Sequence, residues 1–134
     1  MAPNCCLASL ARIIHKRLRQ GSNSSSSRSG LPLIEILMLT HIVVWKYRAD
    51  VETELRMEHI ARLSRLKSII AGIESFEVGV DILHLSRSYD TGLVAVFHDR
   101  AALDAYTVHP DHIVVAEFGR TISENIISVD FLSD

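Results

Sequence analysis

Cysteine is nearly missing from this chain: the two in its 134 residues, Cys5 and Cys6, stand side by side. Adjacent thiols cannot cross-link distant parts of a fold, and neither has a CxxC or other ligand spacing. A disulfide framework is therefore set aside, and the chain reads as intracellular. A charge excess is missing too. The formal net charge of -2 offers no basic footprint for nucleic acid, so no nucleic-acid partner is expected. Long hydrophobic runs are also lacking, since Leu31 to Leu39 is interrupted by Pro32 and Glu35 and falls short of a membrane span. No Gly-rich phosphate loop, GxSxG or nucleophilic cysteine occurs in the folded part, which argues against kinases, dinucleotide enzymes and the usual hydrolases. No cofactor is expected.

What is present divides in two. Residues 1 to 34 carry Arg12, Lys16, Arg17, Arg19 and Arg28 with no acidic residue, whereas 38 to 134 hold nine basic residues against fifteen acidic ones. In the first part, Leu7, Leu10, Ile14 and Leu18 fall at helical spacing, and SNSSSSRSG follows as a low-complexity segment. An Arg- and Ser-rich, acid-free leader resembles an organellar transit peptide. The plainer reading takes residues 1–37 as a disordered extension or the product of an upstream start codon, with Met38 as the true start and the cytoplasm as the compartment. Residues 38–134 form the single folded domain, and 48% hydrophobic content is enough to give it a core.

Within that domain the periodicities are sharp. HIVVWKY (41–47) is a β-branched and aromatic strand. Asp50 then offers an N-cap with Glu52 and Glu54 in the first turn. A helix should follow with Val51, Leu55, Leu63, Leu66 and Ile70 on one stripe, His59 among them, and Gly72 as its stop. SFEVGVDI (75–82) alternates as a half-buried strand, HLSRSYDTG is a loop, and GLVAVFHD (92–99) is a third strand. Asp99 caps a short helix through DRAALDAY, HPDHIVVAEFGRTI is a second helical segment entered at Pro110, and NIISVDFL (125–132) closes the chain as a strand. The order β-α-β-β-α-β is that of a ferredoxin-like α+β subunit.

Helices of such a subunit cover one sheet face only. IVVW, LVAVF and IISVDF nevertheless carry apolar residues on both sides, the pattern of strands covered on both faces. An exposed sheet of that size exceeds the apolar patch that soluble monomers tolerate, which predicts a homodimer packed through the sheet face as a closed or nearly closed α/β barrel.

The segments THIVVWKY, GIESFEVGVDI, YDTGLVAVFHDRAALDAYTVHPDH and IISVDF resemble the stress-responsive A/B barrel domain, also called the dimeric α/β barrel or Dabb domain, across residues 38–134. The resemblance implies a homodimer of ferredoxin-like subunits and a link to stress responses. It implies no single reaction, because a fold does not fix a function. One plant branch includes a polyketide cyclase that uses a His and Tyr pair. Its motif, a Tyr six residues before the second His of HPxH, is matched by Tyr106 and His112, and its first-strand histidine by His41. A further pocket histidine of that enzyme falls at about Thr91, where this chain departs from the pattern.

The candidate catalytic residues are therefore His112, Tyr106 and His41. His112 lies in the first turn of a helix, whose positive end favours a neutral, basic imidazole; Tyr106 would donate to a carbonyl or enolate oxygen; His41 would orient either one. The bland alternative has Tyr106 and His112 hydrogen-bonding each other or the backbone to fasten the helix joint. His109 and His112 share i, i+3 spacing, but Pro110 interrupts the stretch and no third ligand stands at a customary distance, so no metal is expected. His59, Trp45, Tyr47 and Phe76 are core residues or the wall of an apolar pocket between sheet and helices. His84, His98, Arg62, Arg65 and Lys67 read as solvated. Three functions remain: a homodimer binding a small apolar or aromatic molecule, a cofactor-independent enzyme of the cyclase or monooxygenase kind, and a purely structural dimer.

Overall fold

The computed structural model describes residues 36–134. The extension read from residues 1–37 lies outside them except for Ile36 and Leu37, both exposed. The elements follow in the expected order: β1 (Met38–Tyr47), α1 (Thr53–Ile69), β2 (Ile73–Val80), β3 (Thr91–Phe97), α2 (Arg100–Val108), α3 (Pro110–Ile122) and β4 (Ser123–Ser133). The strands make one sheet in the order β2-β3-β1-β4, and each adjoining pair is antiparallel. This is the ferredoxin-like α+β arrangement, with β1 central and β4 at an edge.

Local chemistry explains where the elements begin and end. Asp99 Oδ1 accepts from the Ala102 amide at 2.8 Å, so α2 starts as expected. Pro110 opens α3 and needs no amide partner there, while His109 caps that helix through Nδ1, which accepts from the Asp111 amide at 3.2 Å. Gly72 has φ +86, a left-handed value suited to glycine, and turns the chain from α1 into β2.

The start of α1 differs from expectation. Its N-cap is Glu52, with no side-chain cap bond, and not Asp50. The Asp50 carboxylate is taken by Arg48 Nε at 3.1 Å, and Val51 N donates to Arg48 O, so a turn occupies the place of a first helical turn. Arg56 fixes that turn by donating to the Val51 and Arg48 carbonyls at 3.1 and 3.2 Å. Leu55, expected on the apolar stripe, is exposed in the first turn of the helix, whereas Val51, Leu63, Leu66 and Ile70 are buried. At β2 the strand starts earlier than read and stops at Val80, where Asp81 N donates to Asp90 O; Ile82, expected inside, is 83% exposed.

Alternation along β1 sends Leu39, His41, Val43, Trp45 and Tyr47 toward the helices, where they pack with Leu63 and Leu66 of α1, Leu93, Ala95 and Phe97 of β3, and Tyr106 of α2. Each fully buried Leu or Phe among them contributes roughly 1.5–3 kcal/mol. The opposite parity carries Ile42 and Val44 of β1 with their β4 partners Val129 and Ile127. These line a shallow hollow of about 260 Å³ on the face away from the helices, and Ile127, Val129 and Phe131 remain exposed there. Both sides of the sheet are therefore apolar, as the two-sided strands required. No helix among the described residues is long and apolar enough to cross a membrane.

Candidate functional site

Three of the residues singled out from sequence meet in space. His41 comes from the first half of β1, Tyr106 from the last turn of α2 and His112 from the first turn of α3. The Tyr106 ring contacts both imidazoles, with its centroid 4.2 Å from that of His112 and 6.0 Å from that of His41. Phe97 at 5.1 Å and Phe76 at 6.3 Å complete an aromatic surround. The α2–α3 joint makes this possible, since His109 ends one helix and caps the next within a single extended residue.

The hydrogen bonds fix the chemistry of each ring. His112 Nδ1 sits 3.1 Å from the Thr107 carbonyl, which can only accept, so Nδ1 carries the proton and Nε2 holds the free lone pair of the neutral ring. Burial pushes the His112 pKa down, and the Thr107 carbonyl opposes the shift; nearby His41, Arg120 and His109 add to the lowering. Burial and the positive end of α3 act in the same direction, both favouring the neutral ring. The fastening role of the bland reading is present in the Thr107 bond, but it uses one ring nitrogen only.

Tyr106 is 2% exposed, and its hydroxyl makes no hydrogen bond to the described residues. Burial raises its pKa, so it remains a phenol, a donor and not an anion. His41 Nδ1 donates to Asp130 Oδ1 at 2.5 Å. The two are cross-strand partners in β1 and β4, so the sheet register itself holds them together. Asp130 was not singled out from sequence. The signal was there: in IISVDF it has the parity of Ser128 and Ile126, on the side of the sheet that His41 faces. The cluster meets solvent through half-buried His112 and through His41, whose side chain is 15% exposed.

The other expected residues gather elsewhere. His59 is fully buried on α1, and its Nδ1 is 2.9 Å from the Tyr47 hydroxyl. Trp45 stands edge-on to it at 5.2 Å and Phe118 at 6.0 Å. Trp45, Tyr47 and Phe76 are each 5% exposed or less and pack in the layer between sheet and helices, whereas the hollow at Ile42, Val44, Ile127 and Val129 lies on the other sheet face. Arg62, read as solvated, instead covers the Phe118 ring at 4.4 Å while pairing with Glu58. Thr91 is buried at the start of β3 opposite Trp45, so the departure from the cyclase pattern is a core position here. Among the described residues no three His, Cys, Asp or Glu side chains are grouped to hold a metal ion.

Comparisons with known proteins agree with this architecture. Residues 39–133 match the family model of the Stress Responsive A/B Barrel Domain. A dimeric ferredoxin-like protein of unknown function from Jannaschia sp. CCS1 is similar at 31% identity, over 70% of this chain and 97% of that one, with a TM-score of 0.61. A second dimeric ferredoxin-like protein of unknown function, from Thermobifida fusca, shares 21% identity over 79% and 100% of the two chains at a TM-score of 0.68. A hydroxynitrile lyase from Passiflora edulis shares the fold at 16% identity, over 74% and 95%, with a TM-score of 0.67. Among curated proteins, none matches the chain.

Proposed function

The chain belongs to the stress-responsive A/B barrel domain family, and from that premise we propose that it works as a homodimer joined through the open sheet face, each subunit holding a small apolar or aromatic molecule at His41, Tyr106 and His112. The molecule bears a carbonyl group, and the site performs acid–base chemistry on it without a cofactor. The observation that carries the reading is the convergence of three polar rings from three elements, with a ring nitrogen on His112 and a hydroxyl on Tyr106 both left unengaged.

In this reading the neutral His112 takes a proton from the carbon beside the carbonyl through Nε2. The electron pair of the broken C–H bond moves into the enolate, whose oxygen receives the Tyr106 hydrogen bond. His41, held by Asp130, orients the ligand, and the protonated His112 returns its proton to carbon. Aryl methyl ketones in deuterated water provide the test, read as exchange of their α-hydrogens by NMR. The wild type should exchange them above the buffer rate, and His112→Gln should lose about 10²–10⁴-fold, the usual contribution of a positioned base. Binding with equal exchange in His112→Gln would leave a binding module, and absence of binding would leave a structural dimer.

The dimer is supported by the exposed apolar residues of β4 and by the dimeric state of the Jannaschia and Thermobifida proteins. Light scattering at micromolar concentration should give twice the chain mass, and Val129→Asp should halve it. A stable wild-type monomer would contradict the assembly. The reading takes the cytoplasm as the compartment and a role in stress as the setting; the natural protein should be made directly with Met38 as its first residue, and a longer precursor that carries the leader and is cut to the mature chain would move it to an organelle.

A further inference from the structure

His59 is the most completely enclosed titratable side chain of the domain, with 0% of its surface exposed. Its surroundings are closed on each side. Tyr47 engages Nδ1, Trp45 and Phe118 stand edge-on to the ring, and Nε2 has no hydrogen-bond partner. Nε2 faces Gly119 of α3. A Cβ at Gly119 would lie 2.6 Å from Nε2 and 3.2 Å from Trp45 Nε1, so no atom fits between the ring and the helix backbone. A glycine inside a helix costs about 1 kcal/mol against alanine, and here it is the condition for α1 and α3 to approach across an imidazole.

We propose that His59 is an acid-sensitive clasp: its protonation expels the ring from the core and loosens α1 from α3 and the sheet. A neutral imidazole leaves one nitrogen bare, which this site accommodates at Nε2. A protonated ring must carry hydrogens on both nitrogens, and the one on Nε2 would point at Gly119 with nothing to accept it.

The charged and titratable groups around the ring do not offset this. On α1, Arg62 opposes protonation while occupied with Glu58, and Arg56 lies over the Tyr47 ring at 5.5 Å. On β1, Tyr47 is a phenol whose pKa burial raises. Asp90, ahead of β3, is committed to the Tyr47 amide and Lys46. On α3 the Glu117–Arg120 pair is exposed. Among the described residues no carboxylate pairs with His59.

Burial lowers the His59 pKa to about 4 from an ordinary 6.5. The folded state therefore binds fewer protons than the unfolded state between those values. The stabilisation is complete above pH 6.5 and is lost as pH falls toward 4, at up to about tenfold in the folding equilibrium per pH unit.

The test uses the full chain. Native-state amide exchange of α1 and urea unfolding are followed from pH 7.5 to 4.5, in the wild type and in the Tyr47→Phe/His59→Phe double variant, which removes the Tyr47 hydroxyl together with the imidazole it engages. The His112→Gln variant separates the other histidine whose pKa is lowered. The wild type should lose on the order of a hundredfold more of its folding equilibrium over this range than the double variant, and His112→Gln should keep the His59 share. Equal pH dependence in wild type and double variant would overturn the clasp. Should the double variant not fold, ring-nitrogen NMR of the wild type decides: a His59 that stays neutral in the folded protein to near pH 4 while α1 exchange accelerates upholds the proposal, and one that titrates near 6.5 with α1 unchanged overturns it.

Discussion

Two tyrosine–histidine pairs lie in the same helix-covered layer and are built in opposite ways. Tyr47 and His59 join β1 to α1 by a direct hydrogen bond of 2.9 Å and are sealed by Trp45, Phe118 and Gly119. Tyr106 and His112 join α2 to α3 through ring contact at 4.2 Å, and the one hydrogen bond of the imidazole goes to backbone. The first pair joins its hydroxyl to Nδ1 and seals the bare Nε2 of His59 against Gly119; the second leaves a ring nitrogen of half-buried His112 unspent beside a third ring that Asp130 holds. Residue type is the same in both, so partner geometry separates a core fastening from a reactive site.

Substitutions can break this contrast, and the largest effect belongs to the sealed pair. His59→Ala empties a fully enclosed space and orphans the Tyr47 hydroxyl, an expected loss of about 2–5 kcal/mol in urea unfolding at pH 7.5. Gly119→Ala should cost about 1–3 kcal/mol despite the better helix propensity of alanine, because the new methyl group meets His59 Nε2 at 2.6 Å. Tyr47→Phe, which removes one oxygen and leaves His59 Nδ1 unpartnered, should cost about 1–2 kcal/mol. Tyr106→Phe is the mirror experiment. It deletes an oxygen that makes no hydrogen bond to the described residues, so stability should change by less than about 0.5 kcal/mol while α-hydrogen exchange falls. If Tyr106→Phe proves as costly as Tyr47→Phe, the two pairs are alike and both are core.

The legibility of these features from sequence followed their range along the chain. Caps, stops and periodicities act over a few residues, so Asp99, Gly72, Pro110 and the alternation of the strands disclosed the element order and the two apolar sheet faces. His41, Tyr106 and His112 were named through the resemblance of THIVVWKY and AYTVHPDH to a family, not through any spacing that brings them together. Long-range pairings left no such trace. The Asp130–His41 bond spans 89 positions and depends on the β1–β4 register; the Tyr47–His59 bond depends on how α1 lies over the sheet. The competition of Arg48 for Asp50, which displaced the start of α1, likewise needs the turn to exist before it can be seen.

The central claim is that the second pair keeps a basic nitrogen free for a ligand. Nitrogen-15 NMR of the histidine rings at pH 7 tests it directly. The account predicts a neutral His112 with its proton on Nδ1 and a bare Nε2 whose resonance moves when an aryl ketone is added and does not move in Tyr106→Phe. A proton on Nε2, or a His112 resonance indifferent to every ligand, would contradict it.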